Sequence, residues 1–369
     1  MSVGEKMSKN LKYQVVYNYF LGLIKSDALK PGDRLPTESE IEEQFHVSRI
    51  TVVNALNKLE KDHFIKRVQG SGSFVMEKDF QTEDVMKLVA LVISFKGQGR
   101  EINLIESIED QFSRSGYSLL IKNSNNDPEN ERQIIENLKH TVSGIILYPA
   151  SPLETMPLHR ELFREQYPIV YLDRYPLSVP SSYVVSDNYS GGYEIGKYLV
   201  ENGCEQFILI FHDTMFLTSE RDRIDGFMRA MSESNVSKNN ITILESGLKG
   251  IPEINSACDR LEESLRKGHK TAIFTCNDTF AYRIMNVIKD RELDRLDLFI
   301  IAGFDDLDSE PVTLPFVTIR QDYAIIGKQA SMLLLRKIED NNFSDEHQII
   351  PVRLITRSSL RKTDRKYNS

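Results

Sequence analysis

The spacing of apolar residues along this chain changes character twice. From about residue 10 to 76 it reads helix, helix, helix and then a glycine-tipped hairpin. Thr37-Glu38-Ser39-Glu40 after Pro36 is a capping-box pattern and predicts a short helix, Glu38 to Phe45. His46-Val47 makes a turn, and Ser48 caps a second helix, Arg49 to Glu60. On it Val52, Ala55, Leu56 and Leu59 recur at helical spacing and face inward, leaving Arg49, Val53, Asn54 and Asn57 on the free face. Ile65 to Val68 and Ser73 to Val75 flank Gln69-Gly70-Ser71-Gly72, which predicts a hairpin.

Residues 77–87 are charged and aperiodic and are predicted to be a linker. Beyond them, short apolar runs alternate with longer amphipathic stretches, the pattern of βα units around a parallel sheet. Strands are predicted at Leu88 to Ser94, Tyr117 to Ile121, Gly144 to Tyr148, Pro168 to Leu172, Phe207 to Phe211, Ala272 to Thr275 and Leu298 to Ala302. Helices are predicted after Ser94, at Asn130 to His140, and at Gly191 to Asn202, the last stopped by Gly203.

No apolar run approaches the roughly 18 residues of a membrane span, and the polar first ten residues lack the apolar core of a secretory signal. A cytoplasmic protein without membrane attachment is expected. Cys204, Cys258 and Cys276 fit neither a metal spacing nor a disulfide framework, so reduced thiols, no metal and no cofactor are expected. The net charge of −8 argues against nucleic acid until the chain is divided. Residues 1–80 hold 12 basic and 11 acidic side chains, a net +1, and the remainder carries −9. A small near-neutral domain with a basic face still binds phosphate while the acidic remainder stays off it.

A short helix, a tight turn and a helix with Arg49 at the start of its free face has the geometry of a major-groove reader. The Gly70 and Gly72 backbone can approach a phosphate or a minor groove, with Lys66 and Arg67 beside it. Leu29-Lys30-Pro31-Gly32-Asp33-Arg34-Leu35-Pro36-Thr37-Glu38, then Val47-Ser48-Arg49-Ile50-Thr51-Val52, then Gly70-Ser71-Gly72-Ser73-Phe74-Val75 together resemble the GntR-type winged helix-turn-helix over residues 10–76. That resemblance implies DNA contacts from Arg34, Thr37, Glu38, Ser48, Arg49, Thr51, Lys66, Arg67, Gly70 and Gly72. One position departs from the family: Val53 stands where an Arg is usual. An apolar side chain touches a thymine methyl but cannot fork onto guanine, so a different half-site reading is expected.

In the remainder, Arg221-Asp222-Arg223-Ile224-Asp225-Gly226-Phe227, Cys276-Asn277-Asp278, Ala302-Gly303-Phe304-Asp305-Asp306 and Leu314-Pro315-Phe316-Val317-Thr318-Ile319-Arg320-Gln321-Asp322 occur in order. With Ile350-Pro351-Val352-Arg353-Leu354-Ile355-Thr356 as a last strand, they resemble the effector domain of LacI-type repressors, related to periplasmic sugar-binding proteins, over residues 88–360. Asn125-Asn126-Asp127-Pro128-Glu129-Asn130-Glu131-Arg132 is similar to the arabinose-responsive branch of two-part regulators from Gram-positive bacteria. The fold class implied is α/β: an α+β winged helix-turn-helix followed by two lobes of doubly wound parallel sheet. The lobes would be joined by crossings near Ser186, Asp322 and Asn342.

The resemblance implies a sequence-specific regulator, a repressor of carbohydrate-utilisation genes, that binds a palindromic double-stranded operator as a homodimer and answers allosterically to a small sugar such as L-arabinose. Arg223, Asn277, Asp305 and Gln321 supply the paired donors and acceptors that a polyol needs, with Lys96, Tyr148 and Asp173 beside them. Tyr148, Phe95 or Phe216 would stack on the ring. The alternatives are a regulator answering to another sugar or a nucleoside, and a cytosolic ligand-binding protein with a vestigial DNA-binding domain. An enzyme is not expected. The nucleophile elbow, the His-Glu-x-x-His zinc motif and the phosphate loop are all missing, and Asp305-Asp306 should point to opposite sides.

Overall fold

The computed structural model describes residues 3–25, 28–61, 64–68, 72–76, 87–94, 100–151, 153–212, 217–246, 251–293, 297–307, 314–340 and 343–357. The chain divides into two compact units, 1–85 and 86–369.

The first unit contains α1 (Val3–Lys25), α2 (Glu38–Phe45), α3 (Arg49–Lys61), β1 (Ile65–Val68) and β2 (Gly72–Val75). The capping box forms as the sequence predicts, with Thr37 N donating to Glu40 Oε2 at 2.7 Å and Glu40 N to Thr37 Oγ1 at 3.4 Å. His46 ends α2 in the left-handed region at φ 47°. Val16, Phe20, Leu35, Ile41, Val52, Leu56, Leu59, Ile65 and Val75 form its core. β1 and β2 pair antiparallel with Val68 opposite Gly72, and Arg34 makes an isolated antiparallel bridge to Phe74.

The second unit runs β3 (Lys87–Ile93), α4 (Arg100–Arg114), β4 (Tyr117–Asn123), α5 (Pro128–Leu138), β5 (Ile145–Leu147), α6 (Met156–Arg164), β6 (Ile169–Leu172) and β7 (Ser182–Ser186). It continues α7 (Asn188–Glu201), β8 (Gln206–His212), α8 (Thr218–Glu233), β9 (Ile241–Ser246), α9 (Ile251–Arg266), β10 (Thr271–Thr275), α10 (Asp278–Asp290), β11 (Phe299–Ala302) and β12 (Phe316–Arg320). It closes with α11 (Tyr323–Glu339), β13 (His347–Ile350) and β14 (Arg353–Arg357).

The strands form two six-stranded sheets, β4-β3-β5-β6-β7-β13 and β9-β8-β10-β11-β12-β14. The first is all parallel; in the second only β14 is antiparallel. Each sheet is the centre of one lobe, covered on both faces, which is why its central strands read as continuous apolar runs. The chain passes between lobes after Ser186 and after Gln321, as expected. The third passage differs. β13 still pairs with β7 in the first lobe and β14 already pairs with β12 in the second, so the crossing lies at Pro351-Val352 and not near Asn342, which itself lies outside the described residues.

One packing contact sets the geometry of the second lobe. A Cβ built on Gly192 of α7 would lie 1.9 Å from the Arg223 carbonyl oxygen, and one on Gly226 of α8 would lie 1.9 Å from that of Tyr189. The two helices therefore touch backbone to backbone. This close approach fixes the azimuth of α8 and with it the direction of Arg223.

Candidate functional sites

Arg49 opens α3 with its side chain 76% exposed, and its Nε donates to Glu38 Oε2 at 3.2 Å. Arg67 donates to the other Glu38 oxygen and to Asn57 Oδ1. One carboxylate at the start of α2 thus aligns two cations, one from the first turn of α3 and one from the hairpin. Gly72 adopts φ +115°, and a Cβ there would come within 2.8 Å of Arg34 Nε, so the Arg34 side chain lies along the hairpin backbone. Arg34, Thr37, Glu38, Arg67 and Gly72 line one groove of about 630 Å³.

Other predicted residues divide. Ser48, Lys66 and Thr37 are exposed and Val53 is half-buried. Thr37 Oγ1 is committed to the capping box, donating to Glu40 Oε2 at 2.8 Å. Thr51 is buried at 5% exposure, and its hydroxyl lies 3.0 Å from Ser48 Oγ. Successive strand residues point to opposite faces, and Arg67 turns onto Glu38 and Asn57. Gly70 lies outside the described residues. The sequence reading missed Ile50, 68% exposed on the free face of α3.

In the second unit the predicted residues gather past the C-terminal ends of the strands, where open parallel sheets bind ligands. Asp173 follows β6 in the left-handed region, φ 64°. Its Oδ2 accepts from Arg174 Nε and from Ser219 Oγ, each at 3.0 Å, and Arg223 Nη2 stands 3.8 Å from Oδ1. Burial would raise this carboxyl, but Arg174 and Arg223 outweigh it and hold it below its ordinary range. Ser219 and Arg223 belong to α8, so Asp173 ties one lobe to the other.

Arg223 is 4% exposed. Its Nε donates to Asn188 Oδ1 at 2.9 Å, its Nη1 to the Cys276 carbonyl, and its plane lies 3.8 Å from the Phe304 ring centre. Gln321, at the second crossing, donates from Nε2 to Asp305 Oδ1 at 2.5 Å and to Tyr323 OH at 2.9 Å, and accepts from Ser186 Oγ at 2.5 Å. Both crossings and the second lobe meet at this one amide. Asp306 turns away from Asp305 to pair with Arg320 and Arg357. Asn277 caps α10, its Oδ1 accepting from Phe280 N at 3.2 Å. Tyr148 is half-buried with the Arg174 guanidinium 5.2 Å from its ring centre. The space bounded by Tyr148, Asp173, Ser186, Gln321 and Tyr323 measures only about 10 Å³. Lys96, Phe95 and Phe216 lie outside the described residues.

Arg174, Asn188, His212, Ser219, Glu220 and Tyr323 join this cluster without having been singled out from sequence. Only Asp173-Arg174, polar immediately after an apolar run, left a signal. Glu220 accepts from His212 Nδ1 at 2.8 Å and from His212 N at 2.9 Å. Burial opposes its ionisation, but the His212 contacts prevail and lower it. The donor atoms of His212, Glu220 and Cys276 lie within 4.8 Å of one another. Metal capture there requires a thiolate, and burial and then Glu220 push the Cys276 thiol well above its ordinary range. Beneath Asp305, the buried Asp278 accepts from Thr318 Oγ1 at 2.7 Å and Leu307 N at 2.8 Å; burial and Asp305 raise it to about 8.

Among the described residues no helix is long and apolar enough to cross a membrane. The family model for the periplasmic binding protein domain matches residues 89–339, and that for bacterial regulatory proteins of the gntR family matches residues 12–75. An arabinose metabolism transcriptional repressor of Geobacillus stearothermophilus is 29% identical over 360 residues, covering 95% of this chain and 98% of the relative. A PurR repressor of Mannheimia succiniciproducens is 28% identical over 280 residues, 75% of this chain and 82% of its own. Among solved structures, a LacI family transcriptional regulator of Enterococcus faecalis with bound ribose superposes with a TM-score of 0.61 at 25% identity, covering 74% of this chain and 98% of that one.

Proposed function

This chain belongs to the periplasmic binding protein domain family, and we propose that it works as a sugar-responsive, DNA-binding repressor of carbohydrate-utilisation genes. In this reading residues 10–76 read a palindromic operator, 77–87 link, and 88–360 bind the effector and hold a cytoplasmic homodimer. The pairing of a gntR-type domain with this sensor over nearly the full length of an arabinose repressor supports L-arabinose as effector.

The observation that carries the reading is the convergence of Asp173, Arg223, Asp305 and Gln321 at one place, with Asp173 bridging the lobes and Gln321 bracing the crossings. A polyol entering there takes over the Asp173 and Arg223 contacts and resets the lobe closure that those contacts now hold. Closure shifts the two DNA-reading domains of a dimer, and linkage makes DNA oppose the sugar as strongly as the sugar opposes DNA. The test is fluorescence anisotropy with the chain's own upstream DNA and a scrambled duplex, at fixed salt, with and without L-arabinose. Preference for the upstream DNA that L-arabinose lowers is expected. Equal affinity for both duplexes would overturn the repressor reading. Preference that only another sugar or a nucleoside alters would overturn arabinose alone.

A further inference from the structure

The strands that deliver Asp173 and Ser186 to the cleft begin at a second concavity. The parallel register sets Val170 beside Ser182 and Tyr183 beside His347, so Ile169, Ser182 and His347 mark the N-terminal edge of this part of the first sheet. Ile169 is four residues from Asp173, which puts that edge roughly 13 Å from the cleft. Between it, the end of α6 and the end of α11 lies a cavity of about 120 Å³.

About half of its wall is ring and aliphatic surface, including Leu162, Tyr167, Tyr171 and Phe343, and the rest is polar. Several of its polar groups bond to one another. Lys337 Nζ donates to Asp345 Oδ1 at 2.8 Å and to Ser182 Oγ at 3.2 Å, and Ser182 Oγ donates to Asp345 Oδ1 at 2.9 Å. On the other wall His159 shares hydrogen bonds with Thr155 Oγ1 at 2.9 Å and Tyr171 OH at 3.0 Å.

We propose that this cavity is a second small-molecule site, which takes a neutral molecule of one planar ring bearing a single hydrogen-bonding group. Size sets the first limit: an apolar cavity of about 150 Å³ holds benzene. The walls set the second. The rings of Tyr167, Tyr171 and Phe343 offer faces and edges against which a flat aromatic body packs. Charge sets the third. Asp340 and Asp345 outnumber Lys337 in the wall, so an anion is repelled, while Lys337 is already paired with Asp345. One hydroxyl or amide can still join the Lys337–Ser182–Asp345 cluster.

The test is calorimetric and thermal-shift titration of the full-length protein with phenol, benzamide and benzoate. Saturable one-to-one binding of phenol or benzamide is expected, with benzoate about tenfold weaker because of the carboxylates in the wall. Val179→Phe, which fills the cavity, should abolish it, and Lys337→Met, which leaves the volume intact, should weaken benzamide several-fold. Arg223→Ala, in the cleft, should leave it unchanged. Unsaturable binding, benzoate as tight as phenol, or binding lost in Arg223→Ala and retained in Lys337→Met would each overturn the proposal.

Discussion

Replacing Arg223 by Lys keeps the charge and removes the fork, and so isolates geometry from electrostatics. A guanidinium has five N–H donors in one plane. In this cleft one on Nε goes to Asn188 Oδ1 and one on Nη1 to the Cys276 carbonyl, while Phe304 supports the plane from below. The group is thereby held with its Nη2 edge toward Asp173 across the cleft, and in the proposed reading that edge would serve two sugar hydroxyls without further ordering. A lysine ammonium, on a flexible stem, keeps the charge but neither the plane nor the second directed donor. Two charged-group hydrogen bonds at about 1.5 kcal/mol each come to about 3 kcal/mol, or roughly 150-fold in Kd. Isothermal titration with L-arabinose measures this. A Kd for Arg223→Lys within a few-fold of the parent would show that the fork does not hold the effector.

Arg49→Ala should weaken operator binding by about 1–3 kcal/mol at its contacted base pair, read by gel-shift titration at fixed salt, while binding to scrambled DNA changes less. Gly192→Ala drives a methyl to within 1.9 Å of the Arg223 carbonyl, so helix separation should cost about 3 kcal/mol in urea unfolding and weaken the effector as α8 moves. Asp278 is raised to about 8; a carboxyl raised above its unfolded value contributes stability that is present below about pH 4 and lost as pH rises towards 8. Across that window Asp278→Asn should remove up to about 1.4 kcal/mol per pH unit of the downward slope, and chemical denaturation from pH 5 to 8 checks it. The raised Glu131, at about 7 through burial, contributes a slope of the same sign that the substitution leaves in place.

Much of this protein is legible in its sequence, because it depends on neighbours in the chain. The capping box at Thr37, the inward stripe Val52, Ala55, Leu56 and Leu59, and the run of buried strands follow from local hydrogen bonding and from period. Arg223, Asp305 and Gln321 were legible by resemblance of motif. What escaped depends on residues far apart in sequence. Thr51 joined the buried stripe because α3 packs against α1 and α2 over a face wider than its apolar residues mark. The last crossing fell at Pro351-Val352 because β13 finds its partner in β7, a choice of register across more than 160 residues. Arg174, His212 and Glu220 entered the cleft because α8, set by its glycine contact with α7, meets the end of β6 from the other lobe. Sequence settles which face of an element is apolar; only the packing of elements decides which polar groups those faces bring together, since that depends on distances no local period encodes.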